Sequence, residues 1–251
     1  YGNERGVGEG IRTCGLKREE VFVTTKLDAF IKDYDGTQAA IEGSLERLGL
    51  DYIDLMIIHA PQPWTSFRED DHYFEGNLAA WCAMEKAYKA GRLRAIGVSN
   101  FQQVDIENLL QNGDVRPMVN QILAHVSNTP FPLIDYCREH DILVEAYSPM
   151  GHGEMMKNRL AQDMANRYGV SVAQLCIRYC LQLNMLPLPK TANPKHMESN
   201  AEVNFEISAQ DMEILKNVER IKNYGEASLF PVYGGKMDEE GNCTPRDFFK
   251  E

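Results

Sequence analysis

Apolar runs of four to six residues alternate along this chain with longer stretches in which apolar positions recur three and four apart. The short runs are EVFVTT (20–25), IDLMII (53–58), RAIGV (94–98), MVNQI (118–122), ILVEAY (142–147) and MLPL (185–188). Their near-continuous apolar character predicts parallel strands covered on both faces. The longer stretches carry helix ends. In TQAAIEGSLERLG, Ile41, Leu45 and Leu48 share one face, and Gly49 marks the stop. A second helix covers 77–90 and ends at Gly91. Thr129-Pro130 opens a helix containing Leu133, Ile134 and Cys137, with proline near its first turn. Ser171-Val172-Ala173-Gln174 has capping-box spacing. Asn193-Pro194 opens a short helix, and 208–219 form another.

Strand-then-helix order implies a parallel sheet with helices outside. No linker or change of composition divides residues 1–251, so one domain is expected, an α/β chain of the (β/α)8 TIM-barrel type. Six strands are read where a closed barrel of this type has eight, so the first two strands and first helix are expected to precede Tyr1. Residues 224–251 are rich in glycine, proline and aromatics and are expected to form an irregular C-terminal tail beside the substrate pocket.

Composition narrows the partners. A formal net charge of −11 argues against nucleic acid and against an anionic membrane surface. No apolar stretch approaches the ~20 residues of a membrane-spanning helix. The six cysteines are scattered without a CxxC pair, as free thiols of a reducing cytoplasm would be. Cys176 and Cys180 stand four apart, but no third ligand is near them in sequence, so no metal site is expected. No GxGxxG follows a strand, which argues against a Rossmann domain.

Chemistry-bearing residues sit where strands end, the place a βα-barrel keeps its active site. Tyr1 opens YGNE, Lys26 follows VFVTT, and His59 follows DLMII. A phenol, an ammonium and an imidazole can together give a proton to a carbonyl while hydride arrives from elsewhere. Taken singly, the three also read as a frayed terminus, a structural ion-pair partner and a satisfied core histidine.

Seven segments occur in order at these strand ends: YGNE, VFVTTK, DLMIIHAP, RAIGVSNF, VNQI, VEAYSPMG and LPLPKTANPKHMESN. The set resembles the aldo-keto reductase family, near its bacterial branch of small-aldehyde and 2,5-diketo-gluconate reductases. The resemblance implies NAD(P)H-dependent reduction of a small carbonyl substrate. Tyr1 would be the general acid, Lys26 would lower its pKa, and His59 would orient the carbonyl. Ser99, Asn100 and Gln121 would hold the nicotinamide carboxamide and Tyr147 would stack on the ring. Ser148 lies in the loop that covers the pyrophosphate. Lys190, Thr191, His196 and Asn200 would grip the adenosine 2′-phosphate of NADPH.

The departures from the family pattern are specific. The aspartate that pairs with the lysine, on the strand before the tyrosine, is not in this sequence. Ala60 stands where tryptophan is common, so a smaller pocket wall is expected. His196 replaces an arginine and Ser199 a glutamate. Histidine lacks arginine's permanent charge and bidentate fork, so a weaker preference for NADPH is expected, with use of NADH as well. Leu123-Ala124-His125-Val126 departs from the usual continuation after Gln121 and leaves the role of His125 open. Trp64, Phe67, Tyr73, Phe74, Phe230 and Tyr233 either line an apolar substrate pocket or simply pack their loops. A monomer is expected, with a dimer as the alternative. The competing functional reading is a reductase-like subunit that binds nucleotide and regulates a partner or senses redox state.

Overall fold

The computed structural model describes residues 1–245. The chain forms two compact units, Tyr1–Asn120 and Gln121–Glu251. In the first, α1 (Glu4–Thr13) is followed by β1 (Thr24–Leu27), α2 (Tyr34–Leu48), β2 (Leu55–Ile58), α3 (Phe74–Lys89), β3 (Ile96–Ser99) and α4 (Gln103–Asn112). Strand β4 (Val119–Leu123) carries residues of both units. The second continues with α5 (Phe131–Glu139), β5 (Leu143–Tyr147), α6 (Arg159–Tyr168), α7 (Val172–Gln182), β6 (Leu186–Leu188), α8 (Pro194–Ala201) and α9 (Ala209–Lys216). A short pair, β7 (Gly235–Met237) and β8 (Cys243–Pro245), completes it.

In the first unit β1 pairs parallel with β2, Lys26 opposite Ile57, and β2 pairs parallel with β3, Ile57 opposite Gly97. Every residue of β2 and β3 is buried. A strand covered on both faces has no side on which to alternate polar residues, which is why its sequence reads as an apolar run. Helix α2 starts where the Asp33 side chain accepts from Gly36 N, and it stops at Gly49 in the left-handed conformation (φ 66°). Glycine meets no Cβ penalty there. Ile41, Leu45 and Leu48 are all buried on its inner face, as the periodicity requires.

The entry to β2 is locked by charge. Asp54, one residue before the strand, is buried. Its carboxylate accepts from Arg18 Nη2 at 2.7 Å, Arg94 Nη1 at 3.0 Å and Val23 N at 2.9 Å. Both guanidinium groups also lie over the Tyr52 ring, at 4.0 and 5.7 Å from its centroid. These contacts tie together the segments leading into β1, β2 and β3.

In the second unit β5 pairs parallel with β6, Tyr147 opposite Leu188. The capping box at α7 is complete. Ser171 Oγ accepts from Gln174 N at 3.1 Å, and Gln174 Oε1 accepts from Ser171 N at 2.9 Å. The helix buries Leu175, Cys176, Ile177, Tyr179 and Cys180.

Two sequence expectations need correction. The first strand lies at Thr24–Leu27 rather than 20–25, because residues Arg18–Glu20 form a 3-10 turn whose capping contact is Glu20 Oε2 on Lys17 N at 2.8 Å. Lys26 therefore sits inside the strand and does not follow it. The tail from 224 is also not wholly irregular. It holds 3-10 turns at Gly225–Leu229 and Pro231–Tyr233, then the antiparallel pair β7–β8. Asp238 accepts from Asn242 N at 2.7 Å and closes the connecting turn, a local contact with no hydrophobic signature in sequence. The last residues of the predicted tail, 246–251, lie outside the described residues. Among the described residues no helix is long and apolar enough to cross a membrane.

Asp54→Ala removes one buried partner of two arginines. The expected cost is about 2 kcal/mol, since the buried Val23 N–H and the partly buried Arg18 lose their acceptor while the more exposed Arg94 turns to water. A urea midpoint lowered at unchanged slope is the predicted result. An unchanged midpoint would show that the cluster does not hold the strand entries.

Candidate active site

Three side chains converge at the C-terminal ends of β1 and β2. His59 directly follows β2, where its backbone N donates to Leu27 O at 3.1 Å. Its Nε2 lies 3.2 Å from the Tyr1 hydroxyl. The ammonium of Lys26 stands 5.5 Å from the centroid of the Tyr1 ring. Tyr1 itself is 94% exposed, so its hydroxyl reaches into the site while most of the residue faces water. The segment behind it is anchored by Glu4, which accepts from Thr25 Oγ1 at 2.8 Å and Arg47 Nε at 2.6 Å. The glutamate of YGNE thus fixes α1 to β1 and α2, a role that sequence reading missed.

The electrostatics assign protonation states. Burial, and then the Lys26 charge, the Tyr1 amino group and Lys32, hold the His59 pKa down to about 3. The imidazole is therefore neutral at physiological pH, and one of its nitrogens carries a hydrogen to donate. Partial desolvation pushes the Tyr1 phenol above its ordinary value of 10. The net direction is opposite to the lowering expected from Lys26. The phenol is accordingly protonated near neutrality, as a proton donor must be.

An aromatic wall stands beside His59. Ala60, directly after His59, is buried, and Trp64 supplies an aromatic from further along the loop. Its ring centroid is 4.9 Å from that of His59, edge to face, and Phe67 packs on it at 5.2 Å. Trp64 is buried. Phe74 instead stacks on His72, and the Tyr73 hydroxyl lies 3.3 Å from Ser66 Oγ. Ser99 closes β3 and Asn100 follows it with φ 61°; both are buried. The Asn100 amide donates to His59 O at 3.0 Å and to Ser99 Oγ at 3.1 Å.

The second unit holds the remaining predicted residues. Gln121, on β4, donates to Glu145 Oε2 on β5 at 2.7 Å, both side chains buried. Tyr147 ends β5, and Ser148 (φ 51°) lies 3.0 Å from the Tyr233 hydroxyl. A cleft of about 610 Å³ is lined by Ser148, Met150, Leu188, Lys190, Thr191, His196, Ser199 and Asn200, among others. At its edge Thr191 Oγ1 accepts from Asn193 N, and Asn193 caps α8 by accepting from Lys195 N, each at 3.1 Å. A lysine, hydroxyls and a helix start beside apolar walls suit a nucleotide with its phosphates. Phe230 links the two 3-10 turns of the tail. His125 is a buried structural group: its Nε2 lies 3.0 Å from the Tyr224 hydroxyl, and burial holds its pKa down to about 4.

A sequence profile of the Aldo/keto reductase family matches residues 1–220. The chain belongs to the aldo/keto reductase family. It is 40% identical over 226 residues to a glyoxal reductase of Bacillus subtilis, an alignment covering 90% of this chain and 78% of that protein. An aldo-keto reductase enzyme from a Medee basin deep-sea metagenome library has a similar crystal structure. The TM-score is 0.80 at 34% identity, over 87% of this chain and 78% of that one. The Bombyx mori aldo-keto reductase, solved in complex with NADP, gives 0.78 at 33% identity over 90% and 78%. The fold class is the α/β, (β/α)8 type of this family.

The low pKa values of His59 and His125 lie below the ordinary 6.5 for histidine. Between about pH 6.5 and 4 the unfolded chain therefore binds protons that the folded chain refuses, and stability must fall as pH falls through that window. The urea midpoint should be lower at pH 5 than at pH 7. The imidazole resonances of His59 and His125 should stay flat between pH 5 and 8; movement of the His59 resonance in that range would contradict the neutral assignment.

Proposed function

We propose that this chain reduces small aldehydes and ketones to alcohols, using a hydride from NADPH and a proton from Tyr1. The observation that carries the reading is the meeting of the Tyr1 hydroxyl and the neutral imidazole of His59 at 3.2 Å, with Lys26 alongside. A carbonyl oxygen seated beside both groups receives two hydrogen bonds, one from the phenol and one from the imidazole N–H. Bound NADPH supplies the hydride to the carbonyl carbon. As negative charge grows on the oxygen, the phenol proton moves to it and leaves a phenolate. The Lys26 charge stabilises that phenolate, and the exposed Tyr1 regains its proton from water. His59 stays neutral throughout, acting as a donor that fixes direction.

The proposed cofactor residues divide by the part of the nucleotide each is assigned to. Ser99, Asn100 and Gln121 are assigned to the carboxamide, Tyr147 to the ring, and Ser148 to the pyrophosphate. Lys190, Thr191, His196 and Asn200 are assigned to the 2′-phosphate end. His196 lacks the fork of an arginine, so NADH is proposed as a working alternative to NADPH. Small 1,2-dicarbonyls are the proposed substrate class, on the 40% identity to the glyoxal reductase and the apolar Trp64 wall beside His59. Phe230 is the tail's candidate for an apolar substrate contact. The six free cysteines support a reducing, cytoplasmic setting. One chain carries every proposed group, so a monomer suffices.

Consumption of NADPH and NADH with methylglyoxal tests the reading. Tyr1→Phe should lower kcat by about 10²- to 10⁴-fold, the usual worth of a positioned general acid, with nucleotide affinity unchanged. Full turnover by that variant would remove Tyr1 from the mechanism. Nucleotide binding by the unaltered protein without turnover of any carbonyl would favour the regulatory reading. His196→Arg should raise the preference for NADPH over NADH by about tenfold, the effect of one charge-assisted phosphate contact. An unchanged ratio of kcat/KM values would show that His196 does not face the 2′-phosphate.

A further inference from the structure

Where β2 ends, three successive backbone carbonyls are each held by a side chain from a different element. Asn100, after β3, donates to His59 O at 3.0 Å. Lys32, between β1 and α2, donates to Ala60 O at 2.8 Å. Asn77, in the first turns of α3, donates to Pro61 O at 2.8 Å. The last two are tied to each other, because Lys32 Nζ also donates to Asn77 Oδ1 at 2.9 Å. Asn77 further donates to His72 O at 3.0 Å, and His72 Nδ1 meets the buried carboxylate of Asp105, on α4, at 2.7 Å. The whole return of the loop from Pro61 to His72 is thereby closed over the lysine.

The approach of α3 is equally specific. A Cβ on Gly76 would lie 2.8 Å from Lys32 O and 2.9 Å from Lys32 Cβ. No side chain fits at that position without displacing the lysine segment. Lys32 as a residue is half-buried, but its ammonium sits under the loop, and this burial lowers its pKa to about 7 against the opposing pull of Asp105 and Asp28. A neutral amine still has two N–H groups for its two acceptors, so both bonds survive loss of the charge.

We propose that Lys32 is a positioning residue for His59: its two hydrogen bonds fix the Ala60 carbonyl and, through Asn77, the loop that carries Trp64. The imidazole then keeps the rotation at which Nε2 meets the Tyr1 hydroxyl. Rotation about the 59–60 backbone would move both the imidazole and the aromatic that packs on it. A misplacement of about 1 Å at a reacting centre can cost on the order of 10²-fold in rate. The consequence for turnover rests on the carbonyl-reduction reading; the geometry itself does not.

The test is Lys32→Met, compared with the unaltered protein in three measurements. These are kcat with methylglyoxal, NADPH affinity by fluorescence titration, and the imidazole resonances of His59. The expected result is a kcat lower by about 10- to 100-fold, NADPH affinity within twofold, and a shifted His59 resonance. Asn77→Ser should give the same selective loss, and the double variant should lose little more than either single one, since both act through one contact. If Lys32→Met fails to fold, Asn77→Ser carries the same three readings. A kcat within twofold of the parent with an unmoved His59 resonance overturns the proposal. So does a loss shared equally by kcat and NADPH affinity, which would mark general damage. If the unaltered protein turns over no carbonyl, the functional reading fails separately, and the His59 resonance alone decides for or against Lys32.

Discussion

A strand buried on both faces can offer polar chemistry only where it ends, and the end is where its backbone loses hydrogen-bond partners. Strand β2 is buried at every residue. The carbonyls of His59, Ala60 and Pro61 follow it without a ladder to enter, yet each needs a donor. Asn100, Lys32 and Asn77 supply those donors. The same contacts that satisfy the backbone also fix the one imidazole of the site. In the proposed reading, structural necessity and the alignment of His59 are met by the same three side chains. The charge cluster at the opposite end, Asp54 with Arg18 and Arg94, secures the strand from below.

Much of this was legible because it follows from periodicity and capping. Five strands fell where apolar runs predicted them, and the Gly49 stop and Ser171 capping box are local patterns that involve only near neighbours in sequence. Helices α1, α4 and α6 went unread: α4 buries only two apolar side chains, Ile106 and Leu109, and α1 and α6 are too polar on average to stand out from loop. The start of β1 was misplaced because Val21, Phe22 and Val23 read as strand, although Phe22 is exposed and a 3-10 turn precedes them.

The candidate site shows the same division. Tyr1, Lys26 and His59 could be named because each belongs to a recognisable segment. Their partners could not. Lys32 lies between Ile31 and Asp33 with no period to mark it, and its acceptor Asn77 is 45 positions away. Trp64, one of the aromatics named from the sequence, packs on His59 because a loop can return an aromatic to a strand end from several residues on. A substitution at one aligned position thus says little about a pocket whose walls come from loops.

Burial first, and then neighbouring charge, keep the His59 imidazole neutral, and burial alone raises the Tyr1 phenol. Two ammonium groups, Lys26 and Lys32, act on one half-buried imidazole, and both disfavour its protonation. An imidazolium there would also donate from Nε2, but it would be acidic enough to compete with Tyr1 as the proton source. Holding the imidazole neutral leaves the phenol as the group that gives up a proton, and the nearby Lys26 charge then favours the phenolate that remains. Lys32 contributes to that polarity while its hydrogen bonds set the position of the ring. Its geometry and its electrostatics therefore both bear on the proposed roles, in which Tyr1 gives the proton and His59 orients the carbonyl.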